Sequence, residues 1–201
     1  MLPGSTEPAG LLGVEVDADC GCSDAWCRGA DITAVYEAHA GRMRAMATWR
    51  ASPPWLDVPK VPRIWCREVV VSAQTALPCT APHVAVVADA AGRGVPLELT
   101  RGRLAVAPED RPPHGFIVER PGVAAVLFLA HPDDPRDLAC RADARRTRLS
   151  ARLFPAQLEK GVLLRSRVVA AFGPPIDVQD PAGWPAAVAA AFAASPPPLT
   201  T

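Results

Sequence analysis

From residue 63 onward, apolar residues come in short runs, several of them alternating with polar ones, and the runs are separated by glycine, proline and charged turns. This is the grammar of antiparallel strands. About nine segments fit it: RIWCREVVVSAQ, HVAVVAD, VPLELT, RLAVA, GFIVER, VAAVLFLA, DLACRAD, RTRLSARLF and GVLLRSRVVAAF. Their connectors, among them AAGRG, RG, RPG, HPDDPR, DAR and PAQLEKG, are mostly too short for crossover helices, so neighbouring strands should pair as hairpins. The pattern predicts a mainly β fold, an antiparallel β-sandwich or jelly-roll-like domain over residues 63–201.

Two stretches depart from this rhythm. In DITAVYEAHAGRMRAMATWRAS, Asp31 sits at an N-cap position, and Ile32, Val35, Tyr36, His39, Met43 and Met46 recur at three-and-four spacing. That spacing predicts a helix over 31–52, weakened at Gly41 by about 1 kcal/mol relative to alanine. In DPAGWPAAVAAAFAAS, an alanine-rich helix over 181–195 would pack Trp184, Val188 and Phe192 on the sandwich. Ahead of the first helix, LLGVEVDA has the alternation of a short strand. Residues 1–62 are thus expected to form an N-terminal arm, ended by the prolines between Pro53 and Pro62.

Composition narrows the class. The 201 residues are 49% hydrophobic and 21% charged, close to soluble globular averages, which gives no indication of disorder. The 23 prolines mark boundaries in SPPWLDVPKVP, EDRPPH and SPPPLTT. The longest apolar runs, VAAVLFLA and AAVAAAFAA, fall well short of the roughly 20 residues that span a bilayer. No secretory leader opens the chain, so a cytoplasmic location without membrane contact is expected, with its six cysteines as free thiols or metal ligands.

Net charge is zero, which argues against a general nucleic-acid binder. Its distribution is uneven. Residues 1–40 carry Glu7, Glu15, Asp17, Asp19, Asp24, Asp31 and Glu37 against Arg28, whereas residues 141–172 carry seven arginines and Lys160 against Asp143 and Glu159. Docking of the acidic arm on the basic region would account for this as well as an outside partner would.

Two clusters could hold chemistry. Cys20, Cys22 and Cys27, in DADCGCSDAWC, could converge on one ion if the segment is a turn. Zinc is the metal such thiols would suit, although the fourth tetrahedral ligand is missing locally and would have to come from Asp17, Asp19, Asp24, His39, Cys79 or His83. The same thiols could simply be small buried groups. Cys66, Cys79 and Cys140 lie on or beside separate strands and read as core.

The second cluster is basic. Arg146, Arg148 and Arg152 share parity on one strand, and Arg165 and Arg167 share parity on the next. If those strands formed a hairpin turning near Leu158 to Gly161, Arg152 would face Arg165 and the five side chains would make one ridge. Guanidinium groups bind carboxylate or phosphate bidentately, so such a ridge suits an anionic small molecule or a protein partner. Few aromatics interleave it, which counts against single-stranded nucleic acid. A solvated arginine face is the plain alternative.

HPDDPR gathers His131, Asp133 and Asp134, where an acid/base pair would fit, but the same letters build a proline-bounded turn. His83, His114 or His131 with a carboxylate would serve a sugar-active sandwich enzyme, by analogy of fold alone. No nucleophile-elbow, zinc-protease or phosphate-loop motif occurs. The sequence therefore points to a non-enzymatic binding or interaction module that needs no cofactor, with a zinc-binding protein or metal-dependent enzyme as the alternative and self-association left open.

Overall fold

The computed structural model describes residues 12–38, 40–51, 53–56, 64–120, 122–134, 136–143 and 146–196. In chain order they form β1 (Gly13–Val16), β2 (Gly21–Arg28), β3 (Asp31–Ala38), β4 (Met43–Arg50), β5 (Trp65–Thr75), β6 (Cys79–Thr80), β7 (Val84–Ala90) and β8 (Arg93–Thr100). There follow β9 (Arg103–Val106), β10 (Gly115–Arg120), β11 (Ala124–Ala130), β12 (Arg136–Ala142), β13 (Thr147–Leu153), β14 (Leu158–Glu159), β15 (Leu163–Gly173) and the helix α1 (Trp184–Ala194). Each of the nine strand-like segments after residue 63 is a strand.

Strands β1-β7-β13-β12 form a four-stranded sheet, and β2-β3-β4-β5-β15-β11-β10-β8-β9 form a nine-stranded one. The short pair β14-β6 stands apart from both. The fold is an antiparallel β-sandwich with its helix on the outer side of the large sheet. Strand alternation divides the core between two layers. β15 sends Val168 and Ala170 between the sheets, against Val86, Leu149 and Leu153, and sends Val169 and Ala171 the other way, under Trp184, Val188 and Phe192 of α1. Because β11 is covered on both faces, all seven of its residues are buried, which is why it reads as an unbroken apolar run.

The helix begins with a proline in its first turn, as the Trp184-Pro185 pair anticipates. Trp184 lies so close over Gly173 that a Cβ there would come within 2.7 Å of the indole. Among the described residues no helix is long and apolar enough to cross a membrane.

The helix expected over 31–52 is absent; β3 and β4 occupy that stretch as a hairpin. Met43, Ala45 and Ala47 alternate into the core, while Arg44, Met46 and Thr48 face outward. Alanine is neutral in a helical count but fits a tightly packed strand face, and here it opposes Ala73 and Val71 of β5. Ala40 and Gly41 have φ of 55° and 79°, which turns the chain where a helix would have run on. His39, placed on the supposed helical stripe, lies outside the described residues. The region before residue 63 supplies β1 to the small sheet and β2, β3 and β4 to the large one.

Candidate functional site

The expected five-arginine ridge does not form, because β13 and β15 are not partners. β13 lies between β7 and β12 in the small sheet, and β15 lies between β5 and β11 in the large one. The connector after Phe154 crosses from one sheet to the other, with β14 pairing to β6 on the way. The arginines therefore separate. Arg146 is exposed in the turn before β13, where its N–H donates to Asp143 at 2.8 Å. Arg165 is on the outer face of the large sheet, beside a shallow hollow of about 150 Å³ with Arg44, Ser72 and Gln74. Arg167 is buried at the helix. Only Arg148 and Arg152 remain together.

Those two form a different site with residues from neighbouring strands. On the outer face of the small sheet, Arg148 stands opposite Arg141 of β12 and Asp89 of β7, and Arg152 stands opposite Asp137 and Ala85. Arg141, Arg148, Arg152 and Asp137, with Glu15 and Ser150, line a groove of about 410 Å³, within the roughly 300–1,000 Å³ usual for small-molecule sites. The acidic arm reaches its floor: Glu15 pairs with Arg148, which also meets Asp89 at 3.5 Å, and Asp17 accepts the His83 N–H at 2.9 Å. Among the described residues neither Arg141 nor Arg152 has an ion-pair partner. Arg148, directly opposite Arg141, is balanced by Glu15 and Asp89, which leaves Arg141 and Arg152 as the groove's arginines without such a counter-charge among the described residues. DLACRAD carried the missed half of this groove. Its Asp137 and Arg141 share parity, and the short DAR connector makes it the hairpin partner of RTRLSARLF.

The three N-terminal cysteines do not converge. Cys20 lies in a turn with Asp17 and Asp19, the three donor atoms within 4.8 Å of one another, whereas Cys22 and Cys27 are exposed on β2, about 15 Å apart along the strand. Burial first, then Asp17 and Asp19, push the Cys20 thiol above its ordinary range, which disfavours the thiolate. Cys66 is buried and Cys140 half-buried, in line with core roles.

A buried polar cluster lies under α1. Glu68, fully buried, accepts from Trp55 Nε1 at 3.0 Å and Arg50 at 3.4 Å, and its burial raises its pKa against those two groups and Arg167. Arg167 donates to Ser195 Oγ at 2.7 Å and the Pro196 carbonyl at 2.9 Å, with its guanidinium over Phe192. His131 to Asp134 form a turn: the Asp134 N–H donates to the His131 carbonyl, and the Asp134 carboxylate holds Arg167 N–H at 2.7 Å and Ser166 Oγ at 3.1 Å. His131 is buried edge-on to Phe192, and burial, then Arg167, lower its pKa. With Glu68, Arg167 and His131 all sealed from solvent, the cluster ties the helix end to the sheet.

No family model matches the sequence, and no curated protein matches it. In three dimensions the chain is similar to a putative aldose 1-epimerase from Escherichia coli K12, with a TM-score of 0.50 and 10% identity over 77% of this chain and 68% of that one. A GH36 alpha-galactosidase, AgaB from Geobacillus stearothermophilus, aligns with a TM-score of 0.46 and 9% identity over 82% of this chain but only 28% of its own. The fold is thus similar to the aldose epimerase-like β-sandwich. At this level of identity the likeness concerns the fold alone.

Proposed function

We propose that this protein is a binding module for an acidic saccharide, held in the groove between β7, β13 and β12. The observation that carries the reading is the Arg141 and Arg148 pair beside Arg152, two of the three without an internal counter-ion among the described residues. A ligand carboxylate would sit between guanidiniums, which offer two parallel donors. Glu15, Asp137 and Ser150 supply acceptors and a hydroxyl for sugar hydroxyls. The saccharide class draws further support from the fold neighbour, whose name refers to an aldose.

The test is titration of the protein with glucuronate and, separately, with glucose, followed by NMR shifts of groove residues. Glucuronate should bind and glucose should bind at least tenfold more weakly. Arg152→Ala and Arg141→Ala should each weaken glucuronate about tenfold or more, the loss expected for a hydrogen bond to a charged group worth about 1.5–3 kcal/mol. Binding that survives both substitutions, or equal shifts with glucose, refutes the groove as an acid-recognising site.

A further inference from the structure

β2 is the outermost strand of the nine-stranded sheet, and all eight of its residues are exposed. Among the described residues nothing pairs with its outer edge, and an edge of that length presents N–H and C=O groups to any other chain, which proteins often blunt with proline or lysine. Gly21–Arg28 contains neither. A bulge between Cys22 and Asp24 disturbs the start of the strand and leaves Asp24 to Arg28 regular.

Hydrogen-bond phase follows from the hairpin. Gly29, with φ of 63°, and Ala30 make a two-residue turn, so Arg28 and Asp31 are the hydrogen-bonded closing pair. Alternation then points the backbone groups of Cys27 and Ala25 away from β3. Consistent with this, the Ala25 N–H donates to the Asp24 carboxylate at 2.8 Å.

The side chains of this segment read acid, small, aromatic, small, base: Asp24, Ala25, Trp26, Cys27, Arg28. Reversed, the series complements itself. We propose that β2 pairs antiparallel with β2 of a second copy of this chain about a two-fold axis at Trp26, joining the two large sheets edge to edge. In this register Asp24 of each copy opposes Arg28 of the other, on the face shared with Thr33 and Val35. Ala25 opposes Cys27, the two residues whose backbone groups point outward, which forms four backbone hydrogen bonds between the copies, the Ala25 N–H of each exchanging its Asp24 carboxylate for the partner strand and freeing that carboxylate for Arg28. Trp26, 42% exposed in the single chain, meets its own counterpart in a non-hydrogen-bonded pair, the closer kind, where aromatic pairs contribute most directly. On the opposite face Ala25, Cys27 and the 45% exposed Ile32 continue as one apolar strip across the axis. Moving the axis to Ala25 sets Asp24 against Trp26, and moving it to Cys27 sets Arg28 against Trp26, so only the Trp26 axis pairs the charges.

Sedimentation equilibrium of the full chain, under reducing conditions, tests the proposal. The wild type should show a concentration-dependent dimer. Asp24→Arg and Arg28→Asp should each weaken it at least tenfold by placing like charges together, and the double variant Asp24→Arg, Arg28→Asp should restore it. Register is read separately: with Cys22 and Cys27 replaced by serine, Trp26→Cys should cross-link into a disulfide dimer under mild oxidation. A wild type that stays monomeric at its highest soluble concentration overturns the proposal. So does a double variant no better than the single ones, or a Trp26→Cys chain that fails to cross-link.

Discussion

Cys22 and Cys27 stand in solvent on β2, while Cys66 is buried on β5 with its thiol pushed up to about 12, first by burial and then by the Glu68 carboxylate. Only the thiolate is nucleophilic, and a reagent must also reach it, so these sites should differ widely in reactivity. Brief alkylation of the native protein at a dilution that keeps it monomeric, followed by peptide mass spectrometry, should label Cys22 and Cys27 fully and Cys66 only after unfolding. Comparable early labelling of Cys66 would contradict its place in the core. The crowding of cysteines in the sequence suggested a ligand set because a turn was assumed there. A strand instead spreads them along about 3.3 Å per residue, and that difference could not be read from spacing alone. Arginine parity fared better: Arg148 and Arg152 do share a face, and what was missing was the identity of the strand beside them.

Strands announced themselves wherever branched or aromatic residues alternated with polar ones, as in RTRLSARLF, or ran unbroken through a doubly covered centre, as in VAAVLFLA. The hairpin of β3 and β4 did not, because its inward side chains include Ala34, Ala38, Ala45 and Ala47, which carry little periodic signal, while Ile32, Val35 and Met46 fall by chance at helical spacing. Gly41 was the correct sign, and it marks the turn. Pairing between elements was legible where a tight turn forces it and failed at PAQLEKG, which bridges two sheets. At the other end of the chain, α1 was foreseen with its packing face. Phe192 is fully buried there, 5.2 Å from Trp55 and 5.1 Å from His131 between ring centroids, and beneath the Arg167 guanidinium. Phe192→Ala should cost about 3–5 kcal/mol in chemical denaturation, the usual penalty for emptying a core aromatic site. A loss under about 1 kcal/mol, the size typical of an average point substitution, would mean that the helix is only loosely attached.

Across the whole molecule, zero net charge hides an uneven distribution, whose acidic and basic stretches touch at the Glu15 and Arg148 pair. Glu15 on Arg148 and Asp17 on the His83 backbone N–H tie part of the acidic start of the chain to the small sheet, while Asp24, Asp31 and Glu37 lie on β2 and β3 of the large one. Exposed pairs of this kind contribute little to stability. The pH response should instead come from buried groups. His131 and His114 have lowered pKa values: burial then Arg167 act on the first, against Asp134 and Asp133, and burial then Arg136 act on the second, against Glu98. The unfolded chain binds protons at both below about pH 6.5, before the folded protein does, so their contribution is complete above that pH and is lost as pH falls below it. Glu68 acts in the opposite sense, since its folded pKa is raised from 4.5 and protonation relieves a buried charge as pH falls toward that value. Unfolding free energy measured from pH 7 to pH 5 should therefore decline less steeply in His131→Gln than in the wild type. In Glu68→Gln, which removes the opposing gain, it should decline more steeply. Because the readout is slope and not absolute stability, it stands even if either substitution weakens the fold, and identical slopes in all three proteins would show that neither buried group is linked to folding in this range.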